Sequence, residues 1–164
     1  MSEIYSYNVT APDGSVLGGV ERVVMSTYKG YLLKAADGTI LDPFIKIDTY
    51  STTPDQRQDS DSYRDGYGML HRTVLPDVVT TIKFTTLQLT LEEKMILQDA
   101  INSGRIDKQE RKTTLTYWND EINDYCTDTF YIPDVDFPVK RITAETIIYS
   151  KVDFKFIGYG EERT

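Results

Sequence analysis

The sequence predicts a mainly β protein, an antiparallel β-sandwich or barrel with one α-helix and one long extended loop. Runs of β-branched and aromatic residues recur along the 164-residue chain and alternate with polar residues, as in half-buried strands. Only one segment has apolar residues at helical spacing. Strands and helices do not alternate along the chain, which argues against a parallel sheet with crossover helices.

Residues 1–38 are predicted to form an N-terminal arm or a pair of small strands, ahead of a single β-sandwich or barrel domain at residues 39–164. Within the arm, short runs of strand formers are separated by turn signals at Pro12-Asp13-Gly14, Gly18-Gly19, Lys29-Gly30 and Asp37-Gly38. Apolar and charged residues then alternate within residues 40–50. This alternation predicts a half-buried strand at the start of the domain.

A second strand and the single helix follow in the middle of the chain. Threonine and β-branched residues predict a strand over residues 77–89. A helix is predicted over residues 91–103, because Thr90 and Glu93 have the spacing of a capping box and apolar residues follow at helical intervals. We expect Gly104 to end this helix in a left-handed conformation.

The remainder of the chain is predicted to be β. Residues 111–118 and 125–133 have the composition of strands and are joined by the turn-forming residues 119–124, so they predict a β-hairpin. Apolar and charged residues alternate again within residues 142–159. This pattern predicts a long final strand, with a break near Ser150.

The long extended loop, residues 51–76, is the most informative part of the chain. Compact domains rarely contain such long connections unless these are functional or disordered. The segment is rich in tyrosine and arginine, which are enriched where proteins contact each other, so we interpret it as an arm that orders against a neighbouring subunit. The residues predicted to make this contact are Arg57, Tyr63, Arg64, Tyr67, His71 and Arg72.

No catalytic, cofactor or metal site is predicted, and we expect the protein not to be an enzyme. His71 is the only histidine and Cys126 the only cysteine, which is too few for a usual structural zinc site. Asp59, Asp61 and Asp65 lack the spacing of a calcium loop, and we expect them to pair with arginines of the same segment. No glycine-rich phosphate-binding motif is present.

The charge of the chain limits its partners. A net charge of -8 and a pI near 4.6 argue against a nucleic-acid-binding surface, which needs excess lysine and arginine. An acidic surface does suit a wall that DNA passes without binding. No segment approaches the roughly 20 apolar residues of a membrane helix, no secretory signal begins the sequence, and a single cysteine fits synthesis in a reducing cytoplasm.

Aromatic residues of the predicted hairpin offer an alternative function. Antiparallel strands bring side chains together across the pair, so these residues can form a platform for a sugar or a peptide. The platform residues are Tyr117, Trp118, Tyr125 and Tyr131. Packing of Trp118 in the core is the simpler interpretation. The alternative is a carbohydrate- or receptor-binding β-sandwich module of a phage or cell surface.

Residues 40–159 resemble small structural proteins of the tail modules of phages and prophages of Gram-positive bacteria. The segments that carry the resemblance are DTYSTTPDQRQDSDSYRDGYGMLHRTVLP, TTIKFTT, LTLEEKMILQDAI, LTYWNDEINDYCTDTFYIPD and VDFKFIGY. Their order along the chain is distinctive, although no catalytic motif is among them. The similarity does not distinguish a tube, distal-tail, completion or baseplate subunit.

This resemblance implies a virion component of the tail or baseplate that is made in the host bacterial cytoplasm. It also implies a tail-tube type fold, in which a β-sandwich or barrel carries one helix and a long loop that reaches a neighbour. The expected partners are copies of the same chain in a ring, expected to be hexameric, and neighbouring tail proteins. DNA is expected to pass through the channel without sequence-specific binding, and no membrane is involved.

Overall fold

The computed structural model describes residues 2–162. It contains one α-helix, α1 (Leu91–Ser103), and two short 3-10 helices, Asp42–Phe44 and Ile47–Thr49. The strands are β1 (Ser2–Thr10), β2 (Val16–Met25), β3 (Leu33–Ala35), β4 (Ser51–Arg64), β5 (Leu70–Thr85), β6 (Leu89–Thr90), β7 (Arg105–Asp107), β8 (Lys112–Asn119), β9 (Asp124–Tyr131), β10 (Val139–Ile142), β11 (Ile147–Tyr149), β12 (Asp153–Gly158) and β13 (Glu161–Glu162).

The strands form three antiparallel sheets. The main sheet has the order β13-β5-β12-β9-β8-β3, with β4 paired to β5 and β7 paired to β8. A small sheet has the order β10-β11-β6, and β1 pairs with β2. The predicted class is confirmed: the protein is mainly β, with antiparallel sheets and one helix, as in a β-sandwich. Within the described residues the strands do not close into a barrel.

The core lies between the main sheet and α1. Side chains of β8 alternate between buried and half-buried positions, because successive residues of a strand point to opposite faces. Four core phenylalanines pack in stacked or edge-to-face contacts, and α1 adds Leu97, Ala100 and Ile101. Burying each large apolar side chain contributes about 1.5–3 kcal/mol, which makes this cluster the main source of stability.

The helix spans the predicted residues 91–103. Thr90 Oγ1 accepts a hydrogen bond from the Glu93 backbone N–H at 3.3 Å, and Glu93 Oε2 accepts one from the Thr90 backbone N–H at 2.9 Å. This is the predicted capping box. The predicted left-handed conformation of Gly104 is wrong, because its φ is -90°. Glycine is required there for space: a Cβ would lie 2.5 Å from the Thr114 carbonyl oxygen.

The strand predicted over residues 40–50 is wrong, and the two 3-10 helices occupy this segment. The Asp42 carboxylate accepts hydrogen bonds from the backbone N–H groups of Leu32 and Leu33, at 2.7 and 3.0 Å. Pro43 begins the first turn, where its missing N–H costs nothing. These contacts favour turns over an extended strand.

The later elements agree with most of the predicted ones. The predicted hairpin is formed by β8 and β9, and the predicted break near Ser150 separates β11 from β12. The final strand predicted over residues 142–159 is wrong in its first part, because residues 143–146 connect the antiparallel strands β10 and β11. The strand predicted over residues 77–89 is part of β5, which begins seven residues earlier, at Leu70, and ends at Thr85. Its extra residues come from the segment that was predicted to be a loop.

The predicted extended loop, residues 51–76, is instead a long β-hairpin of β4 and β5. The turn includes Asp65 and Gly66, and Gly68 has a positive φ of 81°, which glycine adopts without strain. Bulges shift the register between Thr53 and Asp61. Tyr63, Thr73 and Val74 are strand formers that favour this pairing.

Two strands of the predicted N-terminal arm form a hairpin, and a third belongs to the main body. β1 and β2 pair with each other, and no other described strand joins them. β3 pairs with β8, and its Leu33 and Ala35 are buried in the core. The body therefore includes residues that precede the predicted boundary at residue 38.

Candidate functional site

The outer part of the β4–β5 hairpin is the most prominent surface feature of the main body. We name residues 57–77 the arm. Every residue of the arm is exposed except Asp65, which is half-buried. A two-stranded hairpin with both faces in water is at best marginally stable by itself. The stability of the arm therefore depends on contacts within the hairpin and on any surface that packs against it.

An ion pair links the two strands of the arm. Arg72 donates from Nη2 to Asp59 Oδ1 at 2.7 Å and from Nε to Asp59 Oδ2 at 2.9 Å. The hydrogen bonds from Arg72 lower the pKa of the Asp59 carboxyl below its ordinary value. The predicted pairing of the segment's carboxylates with its arginines is confirmed for this pair. The Arg72 guanidinium thus bonds within its own hairpin.

The tip of the arm is organised around Asp65. Asp65 Oδ1 accepts hydrogen bonds from the backbone N–H groups of Tyr67 and Met69, at 2.9 and 3.0 Å. Asp65 Oδ2 lies 2.9 Å from His71 Nε2, and the His71 ring stacks on Tyr63 with 4.9 Å between centroids. The hydrogen bond with His71 is the largest cause that lowers the pKa of Asp65. These contacts pre-organise the tip.

The other two arginines also bond to the hairpin backbone. Arg57 Nη1 donates to the Pro76 carbonyl, and Arg64 Nη1 donates to the Gly68 carbonyl at 2.8 Å. The polar side chains predicted to contact a neighbour therefore stabilise the arm itself. The side chains that stay available for a partner are mainly apolar: Tyr63, Tyr67, Met69, Leu70, Val74 and Leu75 are 42–100% exposed.

Sequence reasoning placed only two of these six, Tyr63 and Tyr67, among the contact residues. The other four, Met69, Leu70, Val74 and Leu75, were not among the predicted contact residues. The run of strand formers immediately before Pro76 carried the missing signal. Read as a strand, that run has apolar residues on both faces, which is unusual for a strand that packs on one side only.

The base of the arm is fixed to the body by buried polar contacts. Asp55, at a positive φ of 49°, donates its backbone N–H to Thr80 Oγ1 at 3.2 Å. Its carboxylate accepts a hydrogen bond from Asn119 Nδ2 at 2.8 Å. Nearby, Tyr117 Oη donates to the buried Asp128 carboxylate at 2.7 Å. Burial raises the pKa of the Tyr117 hydroxyl, which therefore stays a donor.

The four residues of the alternative aromatic platform do not form one surface. Tyr117 is fully buried and Tyr131 lies at the other end of β9, where its ring contacts Tyr159. Trp118 and Tyr125 do meet across the strands, with ring centroids 5.2 Å apart. Both are only half-buried, so the predicted packing of Trp118 in the core is not what the structure shows.

In residues 2–162, no group of three or more His, Cys, Asp or Glu side chains is arranged to hold a metal ion. His71 is exposed at the tip of the arm, and its carboxylate partner there is Asp65. Over the same part of the chain, no helix has the length and apolarity needed to cross a membrane.

The chain belongs to DUF6711, a family of unknown function, whose model matches residues 25–159. No curated protein and no solved structure matches the chain. The matched range contains the whole arm and the main body except β13. It excludes β1 and all of β2 except Met25, so the N-terminal hairpin lies outside the part that defines the family.

Proposed function

We propose that the protein is a non-enzymatic structural subunit of a phage tail, in the tube, distal tail or baseplate, and that the arm joins copies of it into a ring. The observation that carries this proposal is the arm itself: a pre-organised hairpin, fixed at its base, with six apolar side chains in solvent. Contiguous exposed apolar side chains mark interaction sites. The resemblance of residues 40–159 to tail proteins supplies the biological setting.

The arm suits a contact between unlike surfaces. In a ring, the projecting hairpin of one copy meets a different patch on the next, and such head-to-tail contacts close when the rotation permits. The free edges of the arm can also add main-chain hydrogen bonds to a neighbouring sheet. In a ring with a central channel, the net charge of -8 disfavours binding of DNA phosphates to the wall.

The carbohydrate-binding alternative lacks the shared aromatic surface that it needs. It required Tyr117, Trp118, Tyr125 and Tyr131 to share one surface, and only two of them do.

Shortening the arm tests the proposal. Arg57 and Val78 are partners in the strand register, so an Asn-Gly turn can replace residues 58–77 without breaking the inner hairpin. We expect this variant to unfold cooperatively and to remain a monomer at concentrations where the full chain assembles. Light scattering gives the mass, and circular dichroism reports folding.

A point variant separates the surface of the arm from its presence. Replacing Tyr67, Met69 and Val74 by serine keeps the Arg72–Asp59 pair and should also prevent assembly. The matched control is Ile122→Ser, which removes a side chain that is 52% exposed in the β8–β9 turn. The proposal would be rejected if the shortened chain assembled at the concentration at which the wild type assembles. It would also be rejected if Ile122→Ser reduced assembly as much as the triple serine variant does.

A further inference from the structure

The N-terminal hairpin of β1 and β2 carries a second set of exposed apolar side chains. The described ones are Ile4, Tyr7, Val9, Val16, Leu17, Val24 and Met25, which are 43–81% exposed. β1 and β2 pair only with each other among the described strands. A two-stranded hairpin in water is at best marginally stable, and its exposed apolar side chains favour a covering surface.

The segment that follows this hairpin is attached to the β8–β9 turn. Thr27 Oγ1 donates to Asp124 Oδ1 at 2.8 Å, and the Lys29 backbone N–H donates to Tyr125 Oη at 3.0 Å. The Tyr28 ring contacts Trp118 edge to face, with centroids 5.6 Å apart. Trp118 therefore serves as an anchor for the N-terminal segment. The hairpin leaves the body at a fixed place.

An apolar groove of about 630 Å³ begins at the same place. Its lining includes Tyr28, Leu32, Ile40, Pro43 and Ile47. Tyr28, Ile40 and Ile47 are 42–52% exposed. The one charged residue of its lining, Asp42, directs its carboxylate to the backbone N–H groups of Leu32 and Leu33. The groove therefore offers apolar surface that the described part of its own chain leaves open.

We propose that the N-terminal hairpin of one copy occupies this groove on a second copy of the chain. The inference rests on the proposed self-assembly and names a second contact within it. Each feature is apolar and uncovered, and both are present on every copy, so no other protein is needed to satisfy them. Because the hairpin and the groove are different surfaces, the contact is head-to-tail and compatible with a ring.

One face of the hairpin is enough for a small contact. Its strands contribute 9 and 10 residues and only alternate residues share a face, so about half of them can meet the groove, in a contact smaller than a standard interface that adds to the contact made by the arm. The exposure of the hairpin side chains favours a second copy over the same chain as the partner. With its base held at Asp124 and Tyr125, the hairpin extends from the body with its described side chains in solvent.

A mixing experiment on the full chain tests this inference. The hairpin variant combines Ile4→Asp and Leu17→Asp, and the groove variant combines Ile40→Asp and Ile47→Asp. All four side chains are 42–70% exposed, so these variants should fold. We expect each variant alone to have a lower solution mass than the wild type. An equimolar mixture should gain mass, because an intact hairpin meets an intact groove.

The matched control combines Met95→Asp and Ile96→Asp, two side chains of α1 that are 51% and 53% exposed. It should assemble as the wild type does. The inference would be overturned if the hairpin variant assembled as the wild type does, or if the mixture gained no mass. Either result would leave the proposed function standing. A wild-type chain that stays monomeric would overturn both.

Discussion

At the scale of single residues, space and buried polarity decide which side chains the fold accepts. Gly104 follows α1 where the chain passes close to β8, and its missing Cβ leaves room for the Thr114 carbonyl. Tyr117 brings a hydroxyl into the core, where it lies 3.0 Å from Thr80 Oγ1 and donates to Asp128. Buried polar groups need such partners, because an unsatisfied one costs about 1–3 kcal/mol.

Gly104→Ala should destabilise the protein by about 1–3 kcal/mol, the usual cost of forcing an extra carbon into a packed site. Its Cβ would lie 2.5 Å from the Thr114 carbonyl oxygen, 3.0 Å from Ala36 Cβ and 3.1 Å from Thr113 Oγ1. Urea unfolding measures the loss. Gly66→Ala is the control, since nothing lies within 4 Å of its added carbon. Equal stability of the two variants would contradict this reason for Gly104.

At the scale of elements, predictability follows the range of the interactions involved. The helix could be predicted to the residue because its signals, Thr90 and Glu93, lie within its own first turn. The 3-10 turns could not be, because they depend on Asp42 bonding to Leu32 and Leu33, about ten residues earlier. The alternation of apolar and polar residues along residues 45–49 suggested a strand. The hydrogen bonds from the Leu32 and Leu33 backbone N–H groups to the Asp42 carboxylate favour turns instead.

The prediction of one aromatic platform was wrong, and the positions of its residues along the strands already gave the reason. Adjacent residues of a strand point to opposite faces, so Tyr117 and Trp118 cannot belong to one platform. Tyr131 shares the face of Tyr125 but lies six residues away, about 20 Å along an extended strand. The exposure of residues 70–75 was not predictable, because a run of strand formers does not show whether a sheet covers it.

The arm should lose order in acid. The pKa values of Asp59 and Asp65 are lowered from 3.8 by their partners in the folded arm. A lowered carboxyl pKa adds stability that is present above pH 3.8 and is lost as the pH falls through the folded pKa. Amide NMR signals of the arm should therefore lose dispersion below pH 3.8, while those of β8 and β9 serve as the internal reference.

Asp59→Asn provides the comparison for this titration. It removes one of the two carboxylates, so the arm should be less ordered at neutral pH and change less on acidification. Arm signals in the wild type that stay dispersed well below pH 3.8 would show that these two carboxylates do not order the hairpin.

At the scale of the whole molecule, the fold combines one packed body with two hairpins that extend from it. The body provides the cooperative stability, since its sheets and α1 bury one continuous apolar cluster. The hairpins expose apolar side chains on a base that polar contacts hold in place. Such a chain is suited to assembly, because its least stable elements gain most from a neighbour.

The sequence predicted the β class and the helix, because composition and local patterns carry those signals. It did not predict the groove beside Tyr28, whose lining comes from segments that only the fold brings together. It also placed three arginines and His71 in the contact, since their bonds within the hairpin become evident only when the strands pair.

The measurement that tests the central claim most directly is the solution mass of the full chain over a concentration series by light scattering, with negative-stain images of any large species. We expect mass to rise with concentration to a closed ring with a central hole. A strict monomer of 18.8 kDa at every concentration would contradict the claim that the arm joins copies of this chain.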